Sequence, residues 1–155
     1  MRCQGWTPPG SEGVSSVVFI VDDGVFDAPV DRVWKYLESP EEHQHETILS
    51  QRVLEQQGNA VKIRAEVRRP DGGKEEQVWH MAMDPPFGFR LEVLEGSTKG
   101  SKNVHTYIPM GDRTKVIVTG DFRVQGLDEE ATRKATLDYF AMVFAEDNAA
   151  LKRKK

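Results

Sequence analysis

Three side chains that can bind a metal ion lie close together in the chain. His43, His45 and Glu46 belong to the segment HQHE, and imidazole and carboxylate groups are common ligands of zinc and iron. On a helix His43 and Glu46 share a face and His45 points away from it, whereas on a strand His43 aligns with His45. Because neither conformation turns all three towards one ion, we expect no metal and no cofactor. The segment is expected to be a polar helix end.

A second pair of polar side chains, His105 and Tyr107, occupies alternate positions in KNVHTYIP. If Pro109 pairs with Thr114 across the following loop, both side chains face the same way as the apolar residues of the next strand. Those residues are Val116, Val118 and Phe122. Inward groups of this kind could fix a ligand carbonyl or hydroxyl, or act as an acid. The alternative is that they bond to each other, to water or to the backbone as ordinary buried polar groups.

Composition and charge exclude several classes of protein. The net charge of −4 argues against a general nucleic-acid binder, which needs a basic face. The longest apolar run, VVFIV, is too short for a signal peptide or a membrane span. Cys3 is the only cysteine, so no internal disulfide can form, which suits a reducing cytoplasm. We therefore expect a cytoplasmic protein without nucleic-acid or membrane partners, and we favour a monomer.

The periodicity of apolar residues predicts the secondary structure. SSVVFIVDDGVF is typical of a strand, and residues 30–38 follow as a short helix that carries Trp34 and opens after Pro29. Ser39-Pro40 ends that helix, and a second short helix is expected through EEHQHE. Later strands are indicated by the segments AVKIRAEV, EQVWHMAM, FGFRLEVL, KNVHTYIP and TKVIVTGDFRV. We expect Trp34 to pack under its helix, and Asp22-Asp23 to lie at a bend of the first strand.

The alternation within these strands assigns their inward residues, and the chain closes with one long helix over residues 128–151. The inward sets are Val61, Ile63, Ala65 and Val67; Trp79, Met81 and Met83; and Phe87, Phe89, Leu91 and Val93. Val78, His80 and Ala82 are expected on the opposite face, and His80 is expected to be solvated. Asp128 should cap the helix, whose apolar stripe comprises Leu137, Phe140, Phe144 and Leu151, widened by Tyr139, Met142 and Val143. The order β-α-α-β-β-β-β-β-β-α predicts an α+β domain over residues 15–155, after a flexible leader at residues 1–14.

Three phrases in this order resemble the START-like superfamily, also called SRPBCC or birch-pollen-allergen-like. They are FDAPVDRVWKYL, PPFGFRLEVLEG with the following KGS, and HTYIPMGDRTKVIVTGDF, and the similarity spans residues 17–150. The superfamily includes polyketide cyclases, lipid-transfer domains and plant hormone receptors. The resemblance implies a helix-grip fold, in which a strongly bent antiparallel seven-stranded sheet wraps around a long C-terminal helix. It also implies an internal cavity for lipids, polyketides or sterols, and it carries over no catalytic residue.

The resemblance makes a set of inward side chains into candidates for lining this cavity. They are His43, Trp79, Met81, Met83, Phe89, Leu91, His105, Tyr107, Phe140 and Phe144. His43 could orient a polar ligand group at the cavity mouth. From the pattern alone the same residues could instead form a close-packed core.

Three functions follow from these expectations. Binding of a hydrophobic small molecule leads, because it needs only the cavity. A polyketide cyclase or dehydratase would use His105, Tyr107 or His43 as acid or base, and whether the protein is an enzyme stays open. A co-chaperone-like interaction module is the third, which the regular outward charges on the strands disfavour.

Overall fold

The computed structural model describes residues 16–38, 45–69 and 72–153. Within these residues the strands are β1 (Val18–Phe26), β2 (Ile48–Gln57), β3 (Ala60–Arg68), β4 (Lys74–Asp84), β5 (Gly88–Glu95), β6 (Lys102–Met110) and β7 (Arg113–Phe122). The helices are α1 (Val30–Leu37) and α2 (Glu129–Arg153).

The strands form one antiparallel sheet in the order β1-β7-β6-β5-β4-β3-β2. The first and last strands are therefore neighbours, while every other pair is joined by a hairpin connection. Helix α2 packs against the sheet, where Phe144 stacks on Phe26 and Phe140 meets Phe122 edge to face. The α+β helix-grip prediction is confirmed.

The predicted register of β6 and β7 is correct. Pro109 pairs with Thr114, which places Tyr107 opposite Val116 and His105 opposite Val118. Both polar side chains consequently face the concave side of the sheet, together with the buried valines.

Helix α1 begins after Pro29, whose carbonyl oxygen accepts hydrogen bonds from the backbone amides of Arg32 and Val33. The helix ends one residue earlier than predicted, at Leu37. Of the second predicted short helix, residues 41–44 lie outside the described residues, and the described residues 45 and 46 are not helical. His43 also lies outside the described residues.

Helix α2 has the predicted N-cap. A carboxylate oxygen of Asp128 accepts a hydrogen bond of 2.8 Å from the amide of Ala131, which satisfies an amide in the first turn of the helix. Leu151, near the other end, is fully buried. Met142 was expected to widen the apolar stripe, but it is 51% exposed because the sheet covers less of the helix than the stripe predicted.

Three other expectations are corrected by the structure. Phe87 is 66% exposed because it belongs to the turn before β5 and not to the strand itself. Asp22 and Asp23 lie in the regular β1–β7 ladder and not at a bend.

The third correction concerns the outer face of the sheet. Charged side chains follow the outward positions of β3, as expected, but β1 and β6 expose apolar residues. They are Phe19, Val21, Val104, Ile108 and Met110. In the part of the chain that the structure describes, no helix is long and apolar enough to cross a membrane.

Candidate ligand-binding cavity

A cavity of about 810 Å³ lies between α2 and the concave face of the sheet. Its size falls within the range of about 300–1,000 Å³ that is typical of small-molecule sites. The predicted candidates that line it are Trp79, Met81, Met83, Phe89, Leu91, His105, Tyr107, Phe140 and Phe144. The structure thus brings together all the predicted lining residues that it describes.

Strand β6 contributes a row of polar side chains to this otherwise apolar wall. Asn103, His105 and Tyr107 alternate along the strand and all line the cavity. Side chains two residues apart on a strand are separated by about 7 Å, so the row offers polar groups at successive depths. Asn103 sits opposite Gly120, where a Cβ atom would come within 2.7 Å of the Cβ atom of Asn103.

None of these polar groups has a protein partner among the described residues. The side-chain oxygen of Asn103 is buried without a hydrogen-bond donor, and no hydrogen bond joins His105 or Tyr107 to another described side chain. Buried polar groups are nearly always hydrogen-bonded to protein or water. Bonds from His105 and Tyr107 to each other or to the backbone do not fit this arrangement, and water or a ligand in the cavity is then the partner for both groups.

His105 lies flat on the ring of Phe89, with the ring centroids 4.2 Å apart and the planes 16° from parallel. Burial lowers the pKa of His105 to about 4, because the charged imidazolium loses its hydration. The imidazole is therefore neutral at physiological pH. A neutral imidazole offers one hydrogen-bond donor and one acceptor.

Tyr107 meets Trp34 edge to face, with ring centroids 5.6 Å apart. Burial raises the pKa of the Tyr107 phenol far above its usual value, and the Asp147 carboxylate adds to this shift. The phenol thus remains a proton-bearing donor. Trp34 donates from its indole nitrogen to the carbonyl oxygen of Pro86 at 3.0 Å, and it lines the cavity in addition to packing under α1 as predicted.

A cluster of ionisable groups closes the cavity near the C-terminal part of α2. His45 lies between two carboxylates, with Nδ1 3.0 Å from Glu146 and Nε2 3.3 Å from Asp147. Tyr36 of α1 donates to Asp147 at 3.0 Å, and the Thr47 hydroxyl lies 3.0 Å from Glu146. These contacts tie α1, α2 and the segment before β2 together.

Asp147 is the carboxylate of this cluster whose pKa is shifted upwards. Its pKa is raised to about 6, first by burial and further by the neighbouring Glu146 carboxylate, against the opposing effects of His45 and Tyr36. Asp147 lines the cavity and Glu146 does not. A carboxylate that gains or loses its proton near neutral pH therefore faces the ligand space.

A second polar cluster orients Trp79 in the part of the cavity wall that β4 forms. The indole nitrogen of Trp79 donates to Gln77 at 2.8 Å, and Gln77 donates to Glu75 at 2.8 Å. Glu75 also accepts hydrogen bonds from the hydroxyl and the backbone amide of Ser97. This chain fixes the orientation of the largest aromatic side chain contributed by β4.

The described residues contain no group of three histidine, cysteine or carboxylate side chains able to hold one metal ion. His45 turns its two ring nitrogens towards different carboxylates, so these three side chains do not converge on a point. Glu46 is exposed, and its backbone oxygen accepts a hydrogen bond from Arg68.

The sequence and the fold have counterparts among known proteins. The sequence profile of a family described as polyketide cyclase / dehydrase and lipid transport matches residues 20–154. The chain belongs to this family. The predicted membership of the START-like superfamily is thereby confirmed. No curated protein sequence matches the chain closely enough to count as a relative.

Three solved structures illustrate the shared fold of this cyclase/dehydrase-family chain. The Zhui aromatase/cyclase from Streptomyces sp. R1128 has a TM-score of 0.77 at 16% identity, over 90% of this chain and 96% of that chain. A START superfamily protein from Mycobacterium smegmatis has a TM-score of 0.74 at 12% identity, over 88% and 99%. A conserved protein from Geobacillus kaustophilus has a TM-score of 0.69 at 14% identity, over 86% and 94%.

Two polar residues that line the cavity of this family member, Asn103 and Asp147, were not predicted from the sequence, although the sequence contains a signal for each. Asn103 precedes His105 by two residues and therefore shares its face. Asp147 follows Phe144 by three residues and precedes Leu151 by four, so helical spacing places this carboxylate within the apolar stripe. The pairing of Tyr36 with Asp147 carries no sequence signal, because the two residues are 111 positions apart.

Proposed function

We propose that the protein binds a largely apolar small molecule, such as a lipid or polyketide, in its internal cavity. The observation that carries this proposal is the combination of about 810 Å³ of mostly apolar space with inward polar groups that have no protein partner among the described residues. A ligand with a few hydroxyl or carbonyl groups would satisfy Asn103, His105 and Tyr107 while its apolar body covers the aromatic wall.

The first test is native mass spectrometry of freshly purified protein, in which we expect a co-purified apolar molecule. In parallel, melting temperatures are measured with a panel of long-chain alcohols and aromatic polyketides. A ligand specific for the folded state stabilises it by about 2.7 kcal/mol at a hundredfold excess over Kd. No increase in melting temperature with any member of the panel, and no co-purified molecule, would count against binding.

A matched pair of valine substitutions tests whether the ligand binds inside the cavity. Val61 lines the cavity, whereas Val104 lies on the outer face of the sheet and is 40% exposed. We expect Val61→Trp to weaken ligand binding at least tenfold by filling the cavity, and Val104→Trp to leave it unchanged. Equal effects of both substitutions would show that the ligand binds elsewhere.

Catalysis of a cyclase or dehydratase reaction is the second candidate function. It is favoured by the neutral, buried His105 beside Tyr107, because a base and a proton-bearing phenol in one apolar space could remove a proton and polarise a carbonyl. The family description and the aromatase/cyclase neighbour support this alternative without identifying a substrate.

A further inference from the structure

The charges around the cavity are distributed unevenly. The arginines that line it, Arg68, Arg69 and Arg123, lie at or just beyond the ends of β3 and β7. Arg68 is exposed and its guanidinium faces the backbone oxygens of Glu46 and Gly72. By contrast, Asp147 lines the cavity from α2, the helix that forms one wall, and its side chain is 23% exposed.

The ionisable groups around Asp147 leave its end of the cavity negative. Tyr36 faces it from α1, His45 from the segment before β2, Tyr107 from β6, and Glu146 and Tyr139 from α2. The three tyrosines keep their protons, because burial raises the pKa of each. Among the described residues, the Arg153 cation acts on Tyr36, whereas the groups that act on Asp147 are His45, Tyr36 and the Glu146 carboxylate. The ionised carboxylate of Asp147 therefore presents a negative charge to the cavity beside a second carboxylate.

The other imidazole inside the cavity cannot offset this charge. His105 is kept neutral by burial, with a pKa of about 4, so it contributes hydrogen bonds and no positive field. An anionic group placed deep in the cavity would therefore meet a like charge in surroundings of low dielectric constant, where repulsion is strong.

We infer that Asp147 makes the cavity selective for uncharged ligands over anions, and that this selectivity weakens in mildly acidic solution. The inference rests on the proposed binding function and specifies the chemical class of the ligand. Hydroxylated or carbonyl-bearing neutral molecules fit the site, whereas fatty-acid carboxylates with an inward head group do not.

The pH dependence follows from the ionisation of Asp147. Its pKa is raised to about 6, so the carboxylate is charged at pH 8 and mostly protonated at pH 5. The same shift means that the folded chain holds this proton more tightly than the unfolded chain, so stability conferred by protonation is lost as pH rises through 6. Keeping a carboxylate here has a stability cost, as is typical of groups that serve binding.

The test uses two fluorescent probes with the same aromatic skeleton. N-phenyl-1-naphthylamine is neutral, and 8-anilinonaphthalene-1-sulfonate carries a sulfonate that stays ionised between pH 5 and pH 8. The sulfonate also makes the probe less apolar. We therefore compare the ratio of the two Kd values between variants and between pH values. We expect Asp147→Asn to reduce the preference for the neutral probe about tenfold at pH 8, chiefly by tightening binding of the sulfonate.

The control is Asp138→Asn, which removes one negative charge from an exposed site on the same helix, away from the cavity. It should change the ratio less than twofold. At pH 5 the ratio of the two Kd values for the unsubstituted chain should approach the ratio for Asp147→Asn. If Asp147→Asn does not fold, the change in this ratio between pH 8 and pH 5 in the unsubstituted chain still tests the inference.

The outcomes separate the two proposals. If neither probe binds at any pH, the proposed binding function fails. If both bind but the ratio is the same for the unsubstituted chain at pH 8 and pH 5, or for the Asp147 and Asp138 variants, only the selectivity inference fails. A pH dependence that persists in Asp147→Asn would assign the effect to another group, such as His45, and would also overturn the inference.

Discussion

His105 combines three properties that rarely meet in one side chain. It is half-buried in the cavity wall, it has no hydrogen-bond partner among the described residues, and its ring stacks on Phe89 at 4.2 Å. Burial without a partner is costly, so its stability contribution is limited to packing. The imidazole is therefore better suited to contact a ligand, or to act as a base, than to hold the fold together.

The cyclase alternative makes a prediction at this residue. With a poly-β-carbonyl substrate analogue, His105→Phe should abolish cyclised or dehydrated product, because phenylalanine retains the stacking but has no basic nitrogen. The melting temperature should change little. Product analysis by liquid chromatography and mass spectrometry is the readout, with Phe19→Leu on the exposed outer face as the control. Unchanged product formation in His105→Phe would exclude this imidazole as the base.

The orientation of strand residues such as His105 was predictable from the sequence where a short turn fixes the register of the strand. The Pro109–Thr114 pair determines which way His105 and Tyr107 face, and the turn between β6 and β7 is short enough to set that pair. Phe87 was misplaced because a turn interrupts the alternation just before β5. Local irregularities of this kind leave no periodic signal in the sequence.

Helix α2 was predictable from the sequence, whereas strand β2 was not. Its 25 residues carry the phenylalanines, Tyr139 and Asp147 of the cavity wall, and Asp128 caps its first turn. The cap and the apolar stripe were readable from the sequence because both depend on residues close in the chain. Strand β2 was not located, since the segment SQRVLEQQ has few apolar residues and its ladder with β3 contains two register shifts.

The cap gives a prediction for the element as a whole. Asp128→Ala should lower the free energy of unfolding by about 1 kcal/mol, because the Ala131 amide loses its acceptor. Asp138→Ala is the matched control: it removes an exposed carboxylate that pairs with Lys134 in mid-helix, and it should cost about 0.3–0.5 kcal/mol. Equilibrium unfolding in denaturant measures both, and an equal or larger cost at Asp138 would contradict the capping role.

The cavity is a property of the whole molecule, and the sequence could not establish it. Periodicity showed that Trp79, Phe89 and Phe144 face inward, but the same pattern describes a close-packed core. The void arises from the way a bent sheet and a long helix meet, which depends on pairings such as Tyr36 with Asp147 across 111 residues. Family resemblance supplied the expectation of a cavity, and the geometry gives its volume and its polar groups.

Phe144 tests whether this void exists in solution. Its ring stacks on Phe26 at 4.7 Å and also lines the cavity, so part of its surface already faces open space. Replacing a fully buried phenylalanine with alanine costs about 3–5 kcal/mol, because contacts are lost around a new cavity. Since Phe144 is only partly buried, Phe144→Ala should cost less, about 1–3 kcal/mol.

The comparison is Phe122→Ala: Phe122 also lines the cavity, but it is only 5% exposed and packs against Phe140. We expect Phe122→Ala to be the more destabilising of the two in denaturant unfolding, by at least about 1 kcal/mol. The enlarged cavity of Phe144→Ala should also accept bulkier members of the ligand panel than the unsubstituted chain does. If Phe144→Ala destabilises as strongly as Phe122→Ala and gains no larger ligand, the interior around α2 is close-packed and the binding function has no space to operate in.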